Sequence, residues 1–231
     1  MITISDVAKL LSEISKVVKD TRSILKAITD GKEYLMRKCP SASNDISKLL
    51  KQMQKTMVGL AAVTGVAKRF KFTLGSDYAK ESDLRRFNEH LIKHDRKVEN
   101  LGGNISKLKG DCEKIKKIRD KLNDHIKSRS ESRMFGLFGI KASRKRHELS
   151  GAISNFYADD QEMIFLIEKT LALTESALKE VNDELGPSGR AFPSNVPKAA
   201  STLGVYAELF EEPYKQLHDL AGQLDKVAKE F

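Results

Sequence analysis

At 231 residues and 40% hydrophobic content, the chain has enough apolar material for a core of its own, which excludes a disordered polypeptide as the default class. The absence of Trp, the five prolines and the 32% of charged residues belong to long helices rather than sheets. A net charge of +9 favours anionic partners, and two distant cysteines, Cys39 and Cys112, exclude a disulfide framework and point to a reducing, cytoplasmic setting.

From Ile4 to Lys38 the residues Val7, Leu10, Leu11, Ile14, Val17, Val18, Leu25, Ile28 and Leu35 recur mostly three and four apart, which predicts an amphipathic helix. Ser5 is the expected N-cap, Gly31 is a point at which the helix could divide, and Pro40 forbids its continuation. Asp6, Lys9 and Glu13 stand where a signal peptide would need an apolar core, so neither a signal peptide nor a transmembrane helix is expected.

A second helix is predicted from Ser43 or Asn44, with Ile46, Leu49, Leu50, Met53 and Met57 on one face. It runs on into the uncharged residues 57–67, followed at once by Lys68-Arg69-Phe70-Lys71. Here Val58, Leu60, Ala61, Val63, Gly65 and Val66 form a second apolar element, in which Ala61 and Gly65, four apart, permit close helix approach. This run is about half the ~20 apolar residues a bilayer span requires, so burial inside a bundle is the stronger expectation.

Beyond Gly75-Ser76-Asp77 lies the longest pattern. With Leu84 at heptad position a, the a row continues Leu91, Val98, Ile105, Cys112, Arg119, Ile126, and the d row reads Phe87, His94, Leu101, Leu108, Ile115, Leu122, Arg129. Such a seam predicts a coiled-coil helix. Gly102-Gly103-Asn104 interrupts it at about 1 kcal/mol per glycine, but the heptad phase survives, so a continuous or gently kinked helix is expected, with a break into a tight hairpin as the alternative. A fourth helix, from Ser143 to Leu185, has Leu149, Ile153, Phe156, Met163, Ile164, Ile167, Leu171, Leu178, Val181 and Leu185 as its apolar face.

The fold class is therefore all-α: an elongated helical bundle with a long antiparallel coiled-coil-like hairpin, about 78–130 and 143–185, plus N-terminal and C-terminal helices. Residues 1–185 form the bundle, the Gly- and Pro-rich residues 186–198 a linker, and residues 199–231 a helical segment docked on the bundle, giving one domain overall. In that last segment Pro213 either kinks a helix or begins a second one, and Leu217, Leu220, Leu224 and Val227 make the stripe that docks.

No phosphate-binding loop, nucleophile elbow, zinc-protease motif or paired-cysteine signature is present, so a non-enzymatic protein without cofactor is expected. His90 and His94, four apart, are weak metal-ligand candidates; a seam histidine that helps set register is the simpler reading of His94. The connection of the hairpin carries more. Met134-Phe135-Gly136-Leu137-Phe138-Gly139-Ile140 is an apolar tip bearing Met134, Phe135, Leu137, Phe138 and Ile140, inside a basic collar of Arg129, Arg133, Lys141, Arg144, Lys145 and Arg146. Residues 109–146 carry 13 Lys/Arg against 5 Asp/Glu, whereas residues 147–231 carry 7 against 15.

Each Lys or Arg at an anionic leaflet contributes about 1 kcal/mol, and each buried apolar side chain about 1.5–3 kcal/mol, which together suffice for reversible attachment. The expectation is a cytoplasmic or peripheral membrane protein that binds, and in the strongest form perturbs, anionic membranes through the tip, as a pore-forming or cell-death effector would. The bland alternative is that the tip plugs one end of the bundle. A different class of function is a coiled-coil adaptor that holds an acidic protein partner or pairs with itself as a homo-oligomer, and electrostatic nucleic-acid binding comes after both. In layout alone, long helices with an apolar tip are similar to crescent-shaped BAR modules, HeLo-type bundles and α-helical pore-forming toxins, and no motif selects among these.

Overall fold

The computed structural model describes residues 4–38, 40–69, 71, 81–103, 110, 113–114, 116–121, 124, 148, 151, 160–185 and 196–231. Six helices account for nearly all of these: α1 (Ile4–Lys38), α2 (Pro40–Lys68), α3 (Glu81–Gly103), α4 (Asp160–Leu185), α5 (Val196–Leu209) and α6 (Glu211–Ala228). There is no strand among the described residues, and the chain is an all-α helical bundle.

Several local expectations are revised by how the ends form. α1 starts at Ile4, so Ser5 lies inside its first turn rather than at the cap, and Asp6 supplies the negative charge that the positive helix end favours. Gly31 does not divide α1, which runs through it. Its cost of about 1 kcal/mol is small beside the burial of Ile24, Leu25 and Ile28, at about 1.5–3 kcal/mol each. α2 begins at Pro40, ahead of the Ser43 start read from the sequence. Proline lacks the N–H that a first turn would leave unpaired, so one residue closes α1 and opens α2.

α3 is helical through Leu101, Gly102 and Gly103; Asn104 lies outside the described residues. Every described residue from 81 to 124 and from 148 to 185 is helical, as two long hairpin arms require, and the connection between the arms lies outside the described residues. α5 begins at Val196 and takes up the last three positions of the expected linker. Of the two roles open to Pro213, the structure has the second: it occupies the first turn of α6, whose Tyr214 N–H donates to the Phe210 carbonyl at 3.1 Å.

The chain gathers into two compact units. The first draws on Met1–Ile14, Leu60–Ser106 and Phe165–Gln216. Its core holds Val7, Leu10 and Ile14 of α1, Leu60, Val63 and Val66 of α2, Phe87, Leu91 and Val98 of α3, Leu166, Leu171 and Val181 of α4, and Leu203 and Tyr206 of α5, with Phe210. The second draws on Ser15–Gly59, Lys107–Ile164 and Leu217–Phe231, and packs Val17, Val18, Ile24 and Ile28 with Ile46, Leu49, Leu50, Met53 and Met57 and with Leu217, Leu220 and Leu224. In α1, α2 and α6 these residues recur mostly three or four apart, and the buried His94 of α3 and Thr170, Thr174 and Ala177 of α4 fill the steps in those helices, so one stripe per helix is what the packing removes from water.

Threonines enter both cores because their hydroxyls bond within their own helix. Thr64 donates to the Leu60 carbonyl at 3.1 Å, Thr170 to Leu166 at 2.7 Å and Thr174 to Thr170 at 2.8 Å, so none carries an unpaid hydroxyl into the interior. Thr21 differs: it is fully buried and its Oγ1 has no partner among the described residues.

In the second unit the end of α6 is fastened by serines of α2. Ser47 donates to the Ala228 carbonyl at 2.8 Å, satisfying one that a helix end otherwise leaves open, and Ser43 donates to the Phe231 oxygen, just beyond the helix, at 3.1 Å. Lys32 pairs with Glu230 at 2.9 Å beside them.

Candidate functional site

The apolar tip Met134, Phe135, Leu137, Phe138 and Ile140, and the collar Arg129, Arg133, Lys141, Arg144, Lys145 and Arg146, lie outside the described residues. The other elements singled out from the sequence are described, and each finds a definite place.

The second apolar element is interior. Leu60, Ala61, Val63, Gly65 and Val66 are buried, and of the six residues only Val58 is exposed, at 47%. The small residue at position 65 does serve close approach, but to a side chain: a Cβ there would lie 2.8 Å from Cε2 of Tyr214. Tyr214 in turn receives the Lys68 ammonium over its ring, 4.8 Å from the centroid. Lys68 also approaches Glu211 at 4.0 Å, Glu211 pairs with Lys215 at 2.9 Å, and Lys71 pairs with Glu208 at 3.1 Å. The hydrogen bond from Lys215, then the charges of Lys215 and Lys68, hold the Glu211 carboxyl below its ordinary range, and the same bond raises Lys215. The acidic C-terminal third therefore meets the basic run after α2 directly, through exposed pairs of modest strength.

The histidine pair is on α3. His94 is 3% exposed, the interior place its d position implies, and its ring meets that of His90 edge-on with centroids 4.4 Å apart. Burial, then the neighbouring His90 and Lys97, push its pKa down to about 4. The backbone of Arg69, just past α2, hydrogen-bonds the same ring. Lys97 is also held below its usual value, first by burial and then by Arg69 and Lys93. Two imidazoles four apart supply two ligands, whereas a zinc site takes three or four. Among the described residues no group of three His, Cys, Asp or Glu side chains could hold a metal ion.

Within the basic stretch, Lys114, Lys116, Lys117 and Lys121 are exposed, and Arg119, the seam position where the heptad carries a charge, is buried. Its guanidinium bonds Asp120 at 3.1 Å. Lys121 reaches Asp45 of α2 at 3.1 Å, and Asp45 is itself buried. Sequence reasoning passed over Asp45, Tyr214, Glu208 and Glu211. Asp45 had a signal, an acid directly before the core residue Ile46; Tyr214 had none, since an aromatic following Pro213 says nothing about a glycine on another helix.

The first unit also exposes Ile92, Phe165, Val205 and Leu209, with the Lys169 ammonium 5.6 Å from the Phe165 ring centroid. Among the described residues no helix is long and apolar enough to cross a membrane. The class these observations define is an α-helical bundle with a strongly basic central stretch. The chain matches no protein-family model, and no curated protein or solved structure matches it.

Proposed function

We propose that the protein attaches peripherally to anionic membranes through residues 134–140 and their basic collar. The observation that carries this reading is the sequence itself: five large apolar side chains, Met134, Phe135, Leu137, Phe138 and Ile140, stand between Arg129 and Arg133 on one side and Lys141, Arg144, Lys145 and Arg146 on the other. The burial of residues 60–61, 63 and 65–66 adds to it, because the second apolar element is then occupied in the core and the tip becomes the segment to which membrane insertion falls. Burying two phenylalanines contributes about 3–6 kcal/mol, and the collar adds about 1 kcal/mol for each cation near the surface.

Flotation of the full chain with phosphatidylserine vesicles, against phosphatidylcholine vesicles as control, tests it. Retention is expected on the former, and Phe135→Asp with Phe138→Asp is expected to abolish it while the far-UV circular dichroism stays helical. No retention, or retention indifferent to the double substitution, sinks the reading.

A second reading is favoured by one observation: Lys114, Lys117 and Lys121 are exposed at spacings of three and four, which puts a basic row on one helix face. That row suits an adaptor holding an acidic protein segment. A protein that ignores vesicles but co-sediments with a polyglutamate peptide, and loses it on Lys114→Glu with Lys117→Glu, is what this alternative expects.

A further inference from the structure

We propose that Lys68, Arg69 and Lys71, where α2 ends, are a second contact for an anionic lipid leaflet, neutralised in the free protein by carboxylates of its own chain; the choice of a leaflet as partner rests on the tip reading above. Three cations fall within four residues, with Arg69 and Lys71 exposed and Lys68 half-buried. Opposite them, in the same compact unit, the junction of α5 and α6 brings Glu208 and Glu211. The two sets meet in register. Lys71 Nζ donates to Glu208 at 3.1 Å and Lys68 Nζ stands 4.0 Å from Glu211, so lysines three apart face carboxylates three apart in the opposite order. The junction is seated by packing of its own: Phe210 is fully buried, and Tyr214 lies so close to Gly65 that a Cβ there would be 2.8 Å from Cε2. The carboxylates are thus presented to the lysines by neighbours that do not depend on the ion pairs.

Pairing of this kind neutralises charge without holding it. The side chains of Lys71 and Glu208 are 61% and 62% exposed, and those of Lys68 and Glu211 are partly exposed, so water and salt screen both pairs. Glu211 has a second partner in Lys215, one turn along α6 at 2.9 Å, and Lys68 can leave it without stranding a carboxylate. Because Glu208 and Glu211 belong to the same chain, they act at the high effective concentration of an intramolecular partner. A dilute acidic segment of another protein, with the same carboxylate chemistry, competes poorly against that. A leaflet differs in presenting many anionic headgroups at once to several cations, and the exposed Arg69 between the two lysines adds a third. Of the two anionic partners, the leaflet is the one this arrangement favours.

Flotation of the full chain over a series of phosphatidylserine vesicle concentrations tests the contact. Glu208→Gln with Glu211→Gln is expected to tighten binding about three- to tenfold, and Lys68→Gln with Lys71→Gln to weaken it about threefold or more. With both lysines replaced, removing the two carboxylates is expected to gain less than about twofold. Glu13→Gln with Glu175→Gln, the same change in net charge elsewhere in the unit, is expected to leave binding within about twofold. Circular dichroism at 222 nm and urea midpoints establish that each variant is folded. Equal binding by the two carboxylate variants, or no retention of any variant, overturns the proposal. A polyglutamate peptide that gains as much from Glu208→Gln with Glu211→Gln as the vesicles do overturns it too, in favour of an acidic protein segment. Failure of the tip reading is distinguishable: retention indifferent to Phe135→Asp with Phe138→Asp but raised by Glu208→Gln with Glu211→Gln leaves this contact standing, whereas the reverse pattern leaves the tip alone.

Discussion

Three helical glycines permit one substitution to be read against itself. Replacing a helix-interior glycine by alanine gains about 1 kcal/mol, because the unfolded chain has less freedom to lose and the helix gains a methyl group. At Gly204 and Gly222 a Cβ would meet nothing within 4 Å, so Gly204→Ala and Gly222→Ala are each expected to stabilise by about 0.5–1 kcal/mol. At Gly65 the same atom would sit 2.8 Å from Cε2 and 3.1 Å from Cδ2 of Tyr214, well inside van der Waals contact. Overpacking of this kind costs about 1–3 kcal/mol, and the ring is not free to swing away at no cost, since it lies under Lys68. Subtracting the helix gain leaves Gly65→Ala neutral to destabilising by about 2 kcal/mol, which puts it about 1–3 kcal/mol below the other two. Urea unfolding followed by circular dichroism at 222 nm measures all three midpoints. In Tyr214→Ala, where the obstructing ring is absent, Gly65→Ala should become stabilising like its counterparts. If Gly65→Ala raises the midpoint as much as Gly222→Ala does in the unaltered chain, the close packing of α2 on Tyr214 is wrong.

Three further outcomes are expected. The folded His94 pKa of about 4 lies below the 6.5 of a free imidazole, so folding favours the neutral ring. Its contribution is complete above pH 6.5 and is lost as pH falls towards 4, by about 3 kcal/mol in all and about 2 kcal/mol by pH 5. Urea midpoints between pH 8 and 4.5 should therefore fall more steeply for the unaltered chain than for His94→Leu, and parallel profiles would refute the buried neutral histidine. Thr21→Val exchanges a buried hydroxyl without a partner among the described residues for a methyl of similar shape, and is expected to raise stability by about 1–2 kcal/mol; thermal unfolding checks it, and a lowered midpoint would mean that the hydroxyl is satisfied. Ser47→Ala strips the Ala228 carbonyl of its 2.8 Å donor, at about 1–3 kcal/mol, and hydrogen exchange should show the last turn of α6 losing protection before the rest.

The all-helical class was legible because every long segment carries its apolar residues three and four apart, and the same rule located the interior positions Val7, Leu10, Ile14, Ile46, Leu49, Leu50 and Leu217. Helix ends were less legible. Gly31 and Pro40 are local breakers whose penalty of a kcal/mol or a missing N–H is overridden or exploited by packing and position. The interior polar residues were legible in part: the heptad placed His94 and Arg119 on the seam, and both are buried, but nothing in a periodicity says that Arg69 meets His94 or that Lys121 meets Asp45. Those meetings depend on how helices distant in sequence are brought together. Periodicity carries no such information.

The sequence poses one electrostatic question that the helices answer in part, whether the acidic C-terminal third masks the basic chain before it. It does so at the periphery: Glu208 and Glu211 take Lys71 and Lys68, and Glu230 takes Lys32. Pairs as exposed as these are worth about 0–1 kcal/mol each and weaken in salt, so they trim the field of the basic chain without locking it. The central stretch is handled otherwise. Lys121 is held by Asp45, which belongs to the first third rather than the last, and Lys116 and Lys117 are exposed with no acid partner among the described residues. Positive charge of the central stretch, at Lys116 and Lys117, is therefore open to solvent without any helix having to open. Attraction to an anionic surface would then act at long range before the tip makes contact, and the hydrophobic gain of the tip would follow once encounter has brought it within reach of the acyl chains. On the proposed reading such an ordered sequence would need no trigger to begin, and it would make the collar a determinant of the rate of attachment and the phenylalanines a determinant of its lifetime.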